Sequence, residues 1–81
     1  MQEQELKQLF ASVLGVDVAD IGTATAMETV AVWDSLRHLS LVTTIEQRYG
    51  VVFTDAEIIA MVSYPIVWAT LAQRAATSAS E

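Results

Sequence analysis

The side chains best placed for chemistry in this 81-residue chain stand close together: Asp34, Ser35 and, three positions on, His38. A serine with a histidine near it is the raw material of nucleophilic catalysis, in which the imidazole takes the hydroxyl proton. The spacing argues against that use here. On a helix, where successive side chains turn by about 100°, Ser35 and His38 diverge by about 60° and the histidine falls on the buried side. No Gly-x-Ser-x-Gly elbow and no third orienting group accompany them. No catalytic residue is therefore assigned. His38 reads as a structural histidine that hydrogen-bonds the loop preceding Ser35. It cannot build a zinc site alone, and the chain has no cysteine to assist it. Asp17 and Asp20 lack the Asp/Asn-Gly-Glu spacing of a calcium loop, so no metal site is assigned either.

The bulk composition narrows the partners. Ten acidic residues stand against four basic ones, for a formal charge of −6. Nucleic acid needs a basic face and is excluded as a partner. The acidity favours solubility and basic partner surfaces. The first residues, Met-Gln-Glu-Gln-Glu, are acidic where a signal peptide is basic, and no run approaches membrane-spanning length. The chain reads as a cytoplasmic monomer and as a single domain over residues 1–81, with a short tail that frays from about residue 76.

Four helices must position the Asp34-Ser35 pair. Leu6, Leu9, Phe10, Val13 and Leu14 recur at i, i+3, i+4, i+7 and i+8, which predicts a helix over 2–14 stopped by Gly15. Residues 15–34 show no period; Val16, Val18, Ile21, Met27, Val30 and Val32 read as anchors of a packed loop. A loop of about twenty residues is long for so small a domain and points to function. A strand at Thr29–Trp33 has no evident partner and carries little weight. The second helix is expected from Ser35 to Tyr49, with Asp34 as N-cap and Gly50 as stop. Thr54 or Asp55 opens a short third helix through Ala60, with Ile58, Ile59 and Met61 turned toward the core. Ser63 caps a fourth, with Pro65 in its first turn and Tyr64, Val67, Trp68, Leu71 and Ala75 as its apolar stripe. The expected fold is all-α, a four-helix bundle with a long first loop and a short third helix.

A helical wheel of the second helix places His38, Leu41, Val42, Ile45 and Tyr49 on one arc. Leu36 points nearly the opposite way, with Ser40, Thr43 and Gln47, and Leu39 lies on the flank. An apolar side chain thus faces water beside a serine at a helix start, where an anion is stabilised. Trp33 and Trp68 read as core or loop anchors whose indole N–H finds a carbonyl. Trp33 has the lesser alternative of lining a channel for cargo.

Trp33-Asp34-Ser35-Leu36, at the end of a long loop and the start of an amphipathic helix, resembles the Asp-Ser-Leu signature of acyl carrier proteins. The resemblance extends over nearly the whole chain: Leu6–Leu14, the Asp20-Ile21 turn, Leu41, Ile45, Glu46 and Tyr49, Phe53-Thr54-Asp55, and Ser63-Tyr64. It implies an acyl-carrier-like bundle that catalyses nothing itself. Ser35 would be the attachment point for 4′-phosphopantetheine, transferred from coenzyme A by a Mg²⁺-dependent phosphopantetheinyl transferase. Asp34 would help that transferase place its metal and orient the serine. The arm's thiol would carry acyl groups as thioesters to acyl-loading and acyl-processing enzymes such as ketosynthases. A tether of this kind raises the local concentration of cargo at whichever enzyme is docked. Leu36 would be the exposed contact for those enzymes, on a partner-binding face that also carries Arg37, Leu39, Ser40 and Thr43.

The departures from the family's pattern have their own meaning. Carriers of general fatty acid synthesis usually have an acidic second helix, whereas this one has Arg37, Ser40, Thr43, Gln47 and Arg48 with Glu46 alone acidic. A dedicated carrier of a specialised fatty acid, polyketide or related pathway is the expectation. Peptidyl or aminoacyl carriers share fold and arm but more often show Gly-Gly-x-Ser before Leu, and rank second. From a different class, an unmodified helical docking module would use the face with Leu36 and Leu39, and Ser35 would be only a cap.

Overall fold

The computed structural model describes residues 2–79, with side chains described through Arg74. Four helices run α1 (Glu3–Leu14), α2 (Ser35–Tyr49), α3 (Asp55–Ala60) and α4 (Tyr64–Ala79), with one 3₁₀ turn at Val18–Asp20. The all-α bundle with a long first loop and a short third helix is therefore the observed architecture. The tail expected to fray from residue 76 lies outside the described side chains, although the backbone of α4 runs to Ala79.

Caps explain why the elements stop where they do. Gly15 and Gly50 adopt φ of +70° and +65°, the left-handed conformation that an L side chain enters only at a cost. Each then turns its N–H back to the helix it closes, to Ala11 O and Glu46 O. Thr54 and Glu57 form a reciprocal capping box at the start of α3. Ser63 Oγ accepts from Ile66 N–H at 3.4 Å at the start of α4, and Pro65 occupies the first turn.

Apolar burial assembles the bundle. Leu6, Phe10 and Leu14 of α1 meet Leu41, Val42 and Ile45 of α2 and Tyr64, Val67 and Leu71 of α4 in one core. Phe10 sits at its centre, edge-on to Trp33 at 5.4 Å and to Tyr64 at 5.0 Å between ring centroids. Such edge contacts add about 0.5–1.5 kcal/mol each beyond area burial. Trp68 and Tyr49 are half-buried against this core. Ala75 lies outside the described side chains.

α3 departs from expectation at one residue. Met61 is fully buried just after the helix and Ile58 packs half-buried against the core, as expected, but Ile59 is 75% exposed. Ile59 lies about 100° round the helix from Ile58, on the side of α3 turned away from the core.

The long first loop is packed, as its anchors imply. Ile21 and Trp33 are buried, and Val16, Met27 and Val30 pack against the core. Val18 is half-buried without joining that core, and Val32 is exposed at the surface. Thr29–Trp33 is a series of turns, not a strand. The extended pairing lies earlier, where Ala26 bridges Ser63. Met27 N–H donates to Val62 O at 2.9 Å, and Tyr64 N–H to Thr25 O at 2.8 Å. Buried Thr25 ties the loop to itself, accepting from Gly22 N–H at 2.8 Å and donating to Asp20 O at 3.1 Å. The loop is thereby pinned to the junction between α3 and α4, which fixes where α2 begins.

Candidate functional site

Ser35 is the first residue of α2, and it is exposed. The residue before it does the capping: Asp34 Oδ1 accepts the N–H of Arg37 at 2.9 Å. Asp34 O also accepts the N–H of His38 at 2.8 Å, the first turn of the helix ladder. A serine that only capped the helix would stand where Asp34 stands. Ser35 sits one position further on, among the free N–H groups of the first turn. Those groups and the helix dipole favour an anion there by about 0.3–1 kcal/mol. No other acidic side chain occupies that turn.

Two further side chains of the same turn reach to two different helices. Arg37 Nη1 donates to Val13 O at 2.7 Å, satisfying a carbonyl of the last turn of α1. His38 turns inward and is 7% exposed. Its Nδ1 lies 3.1 Å from Trp33 Nε1, and its Nε2 lies 2.7 Å from Ile58 O of α3. An indole N–H can only donate and a carbonyl can only accept. Nδ1 is therefore the acceptor and Nε2 carries the proton, so the imidazole is neutral. His38 is the structural histidine expected, bonded to the loop before Ser35. The indole of Trp33 finds this imidazole where a carbonyl was expected. At 1% exposure Trp33 is a core anchor, and it does not appear among the residues lining the cleft beside Ser35.

That cleft, of about 380 Å³, lies between α2 and α3 and is walled by Ser35, His38, Leu39, Met27, Ile58, Ile59 and Val62. Its lining is almost wholly apolar, and Ser35 stands on its edge. Met27, Ile59 and Val62 line this candidate site and were not singled out for it in the sequence. No local sign marks them there, since Ile59 is as apolar as the packed Ile58 beside it.

The face expected to meet partners divides in two. Leu36 (73% exposed) and Leu39 (57% exposed) border a shallow hollow together with Ser40, Thr43 and Thr44. Arg37 is exposed but is tied back to α1. Glu46, the one acidic residue of α2, accepts the N–H of Phe53 at 2.9 Å. The hollow is consequently lined by uncharged side chains.

The wall opposite α2 is secured by charge. Arg74 Nε donates to Glu57 Oε2 at 3.1 Å, and Arg74 Nη2 to Oε1 of the same carboxylate, a two-pronged contact between α4 and α3. The hydrogen bonds from Arg74, then that from the Thr54 N–H, hold Glu57 below the ordinary glutamate value. Elsewhere, burial and the Tyr64 hydroxyl's bond to Glu3 Oε2 at 3.0 Å raise that phenol well above its usual range.

An exposed serine hydroxyl at an anion-favouring helix start, beside an apolar cleft, fits a phosphodiester-linked arm with an apolar end. No curated protein sequence matches the chain significantly. A family model describing the phosphopantetheine attachment site matches residues 4–63. The match takes in α1, the long loop, α2 and α3 and covers well over half of the chain, so this chain belongs to the phosphopantetheine attachment-site family, the carrier domains that bear a covalent 4′-phosphopantetheine arm.

Proposed function

We propose that the arm is attached at Ser35 and that the protein is an acyl carrier, moving thioester-linked acyl groups between enzymes of a specialised fatty acid, polyketide or related pathway. The observation that carries this reading is the separation of tasks at the start of α2. Asp34 closes the helix, which leaves the Ser35 hydroxyl exposed for modification beside the apolar cleft. The chain's own residues present and orient; the bond-making groups belong to the transferase and the downstream enzymes. When bound, the arm supplies a thiol for thioester exchange. Asp34 stands next to the reacting hydroxyl and serves the transferase in recognition. Leu36, Leu39, Ser40 and Thr43 form the docking face, with Arg37 at its margin. That face holds no free carboxylate on α2, which supports partners other than the basic surfaces suited to acidic carriers. We place the protein in the cytoplasm as a monomer; no described helix is long and apolar enough to cross a membrane.

The test is incubation of the purified protein with coenzyme A and a promiscuous phosphopantetheinyl transferase. The wild type gains the mass of one phosphopantetheine, and Ser35→Ala gains none while keeping its helical circular dichroism. An aminoacyl group on the thiol after isolation from the native host would favour the peptidyl carrier reading. A folded wild type that takes no arm would favour the unmodified docking module.

A further inference from the structure

α3 forms one wall of the cleft beside Ser35, yet none of its residues is buried. Six residues are too few for a helix to hold itself, so its position depends on what grips it. At its start the grip is the Thr54–Glu57 box and Arg74 from α4. At its end the carbonyl of Ile58 is one of the orphans of the last turn. Met61 N–H reaches it only at 3.4 Å. The short bond to it, at 2.7 Å, comes from His38 on the opposite wall. The same ring is fixed on its other side by Trp33, the fully buried residue that ends the loop leading to Ser35.

We propose that His38 is a positioning residue, a neutral latch that sets the width of the cleft by holding α3 to the first turns of α2. The proposal rests on the reading that the arm on Ser35 uses this cleft. The latch is built so that each ring nitrogen has a partner able to play only one role. The Trp33 indole makes Nδ1 the acceptor, and this delivers the single proton to Ile58 O. A side chain that supplies one bond without the other leaves a buried donor or acceptor unpaired. Met27, Ile59 and Val62 then lie at a fixed distance from Ser35, and an apolar segment of the arm or its cargo meets a wall already in place.

The experiment compares wild type with His38→Leu and His38→Gln, both without the arm and with it. Glutamine keeps a donor and an acceptor on one side chain. In the unmodified protein, His38→Leu is expected to speed amide hydrogen exchange at Ile58, Met61 and Val62 by at least tenfold, leaving the buried turns of α1 and the second half of α2 within twofold. His38→Gln is expected to restore most of that protection. On loading, wild type and His38→Gln show side-chain shift changes at Met27, Ile59 and Val62, and His38→Leu shows them reduced while still taking the arm at Ser35. Unchanged exchange around α3, or an equal rise in every helix, overturns the proposal. If His38→Leu does not fold, imidazole ¹⁵N shifts of the wild type decide. A protonated Nε2 protected from exchange supports the latch, and a protonated Nδ1 overturns it. Failure of the wild type to accept the arm removes the carrier reading, whereas the exchange result in unmodified protein still tests the latch.

Discussion

α1 and α3 both contact the turn that bears Ser35 and are held by different physics. α1 buries Leu6, Phe10 and Leu14, and Phe10 meets two aromatic rings edge-on. α3 has no fully buried residue; beyond the half-buried Ile58 packed on the core, it depends on a capping box, one arginine and one histidine. Apolar contact is non-directional and spread over many atoms, so it holds α1 against small disturbances. A few directional bonds fix α3 in one place, and each can be removed by itself. The difference suits a carrier: a firm platform under Ser35, and beside it a wall whose position is set by a handful of side chains. The two sides are joined through consecutive residues of α2, with Arg37 satisfying a carbonyl of α1 and His38 one of α3.

The largest expected effect comes from breaking the platform. Trp33→Ala removes a fully buried indole and its edge contact with Phe10, and should lower stability by about 3–5 kcal/mol. In a domain of this size each kcal/mol shifts the melting temperature by about 4–8 °C, so calorimetry should show a global loss or no folded protein. Next comes Thr54→Ala, which removes the box that opens α3 and should cost about 1 kcal/mol. Amide exchange should place that loss in α3 and spare α1. A loss shared equally by both helices would mean that α3 is not held separately.

Acid gives a smaller and equally local effect. Glu57 titrates below its ordinary value of 4.5 because Arg74 and the Thr54 N–H hold the carboxylate. Folding therefore gains from this group above 4.5, and the gain disappears as pH falls through the lower folded value. Protection factors at α3, corrected for the intrinsic slowing of exchange in acid, should fall below pH 4.5 in the wild type, and Glu57→Gln should flatten that dependence. The smallest effect is Leu36→Ala on the exposed face of α2, within about 0.5 kcal/mol in stability. It should weaken docking to a cognate acyl-processing enzyme measurably. A large thermal shift in this variant would mean that Leu36 is part of the core.

Much of this was legible in the chain. The period of Leu6–Leu14, the stops at Gly15 and Gly50 and the cap at Asp34 place α1 and α2 within a residue, because those signals are local and each has one physical cause. The outward position of Leu36 follows from the wheel alone. What escaped was carried by backbone atoms far away in sequence. Nothing in the side-chain pattern announces that Arg37 meets Val13 O, that His38 meets Ile58 O, or that Ala26 pairs with Ser63. Met27 and Val62 belong to the cleft through that pairing, and a bridge of one residue pair leaves no alternation to read. Val32 looked like its neighbouring anchors but falls outward, since an irregular loop gives no rule for which apolar residue points in.

The central claim is that Ser35 bears the arm. Intact mass after treatment with coenzyme A and transferase, followed by fragmentation, tests it directly. A single added phosphopantetheine located on Ser35, absent from Ser35→Ala, is the predicted result. An arm found on another residue, or a folded wild-type protein that accepts none, would contradict it.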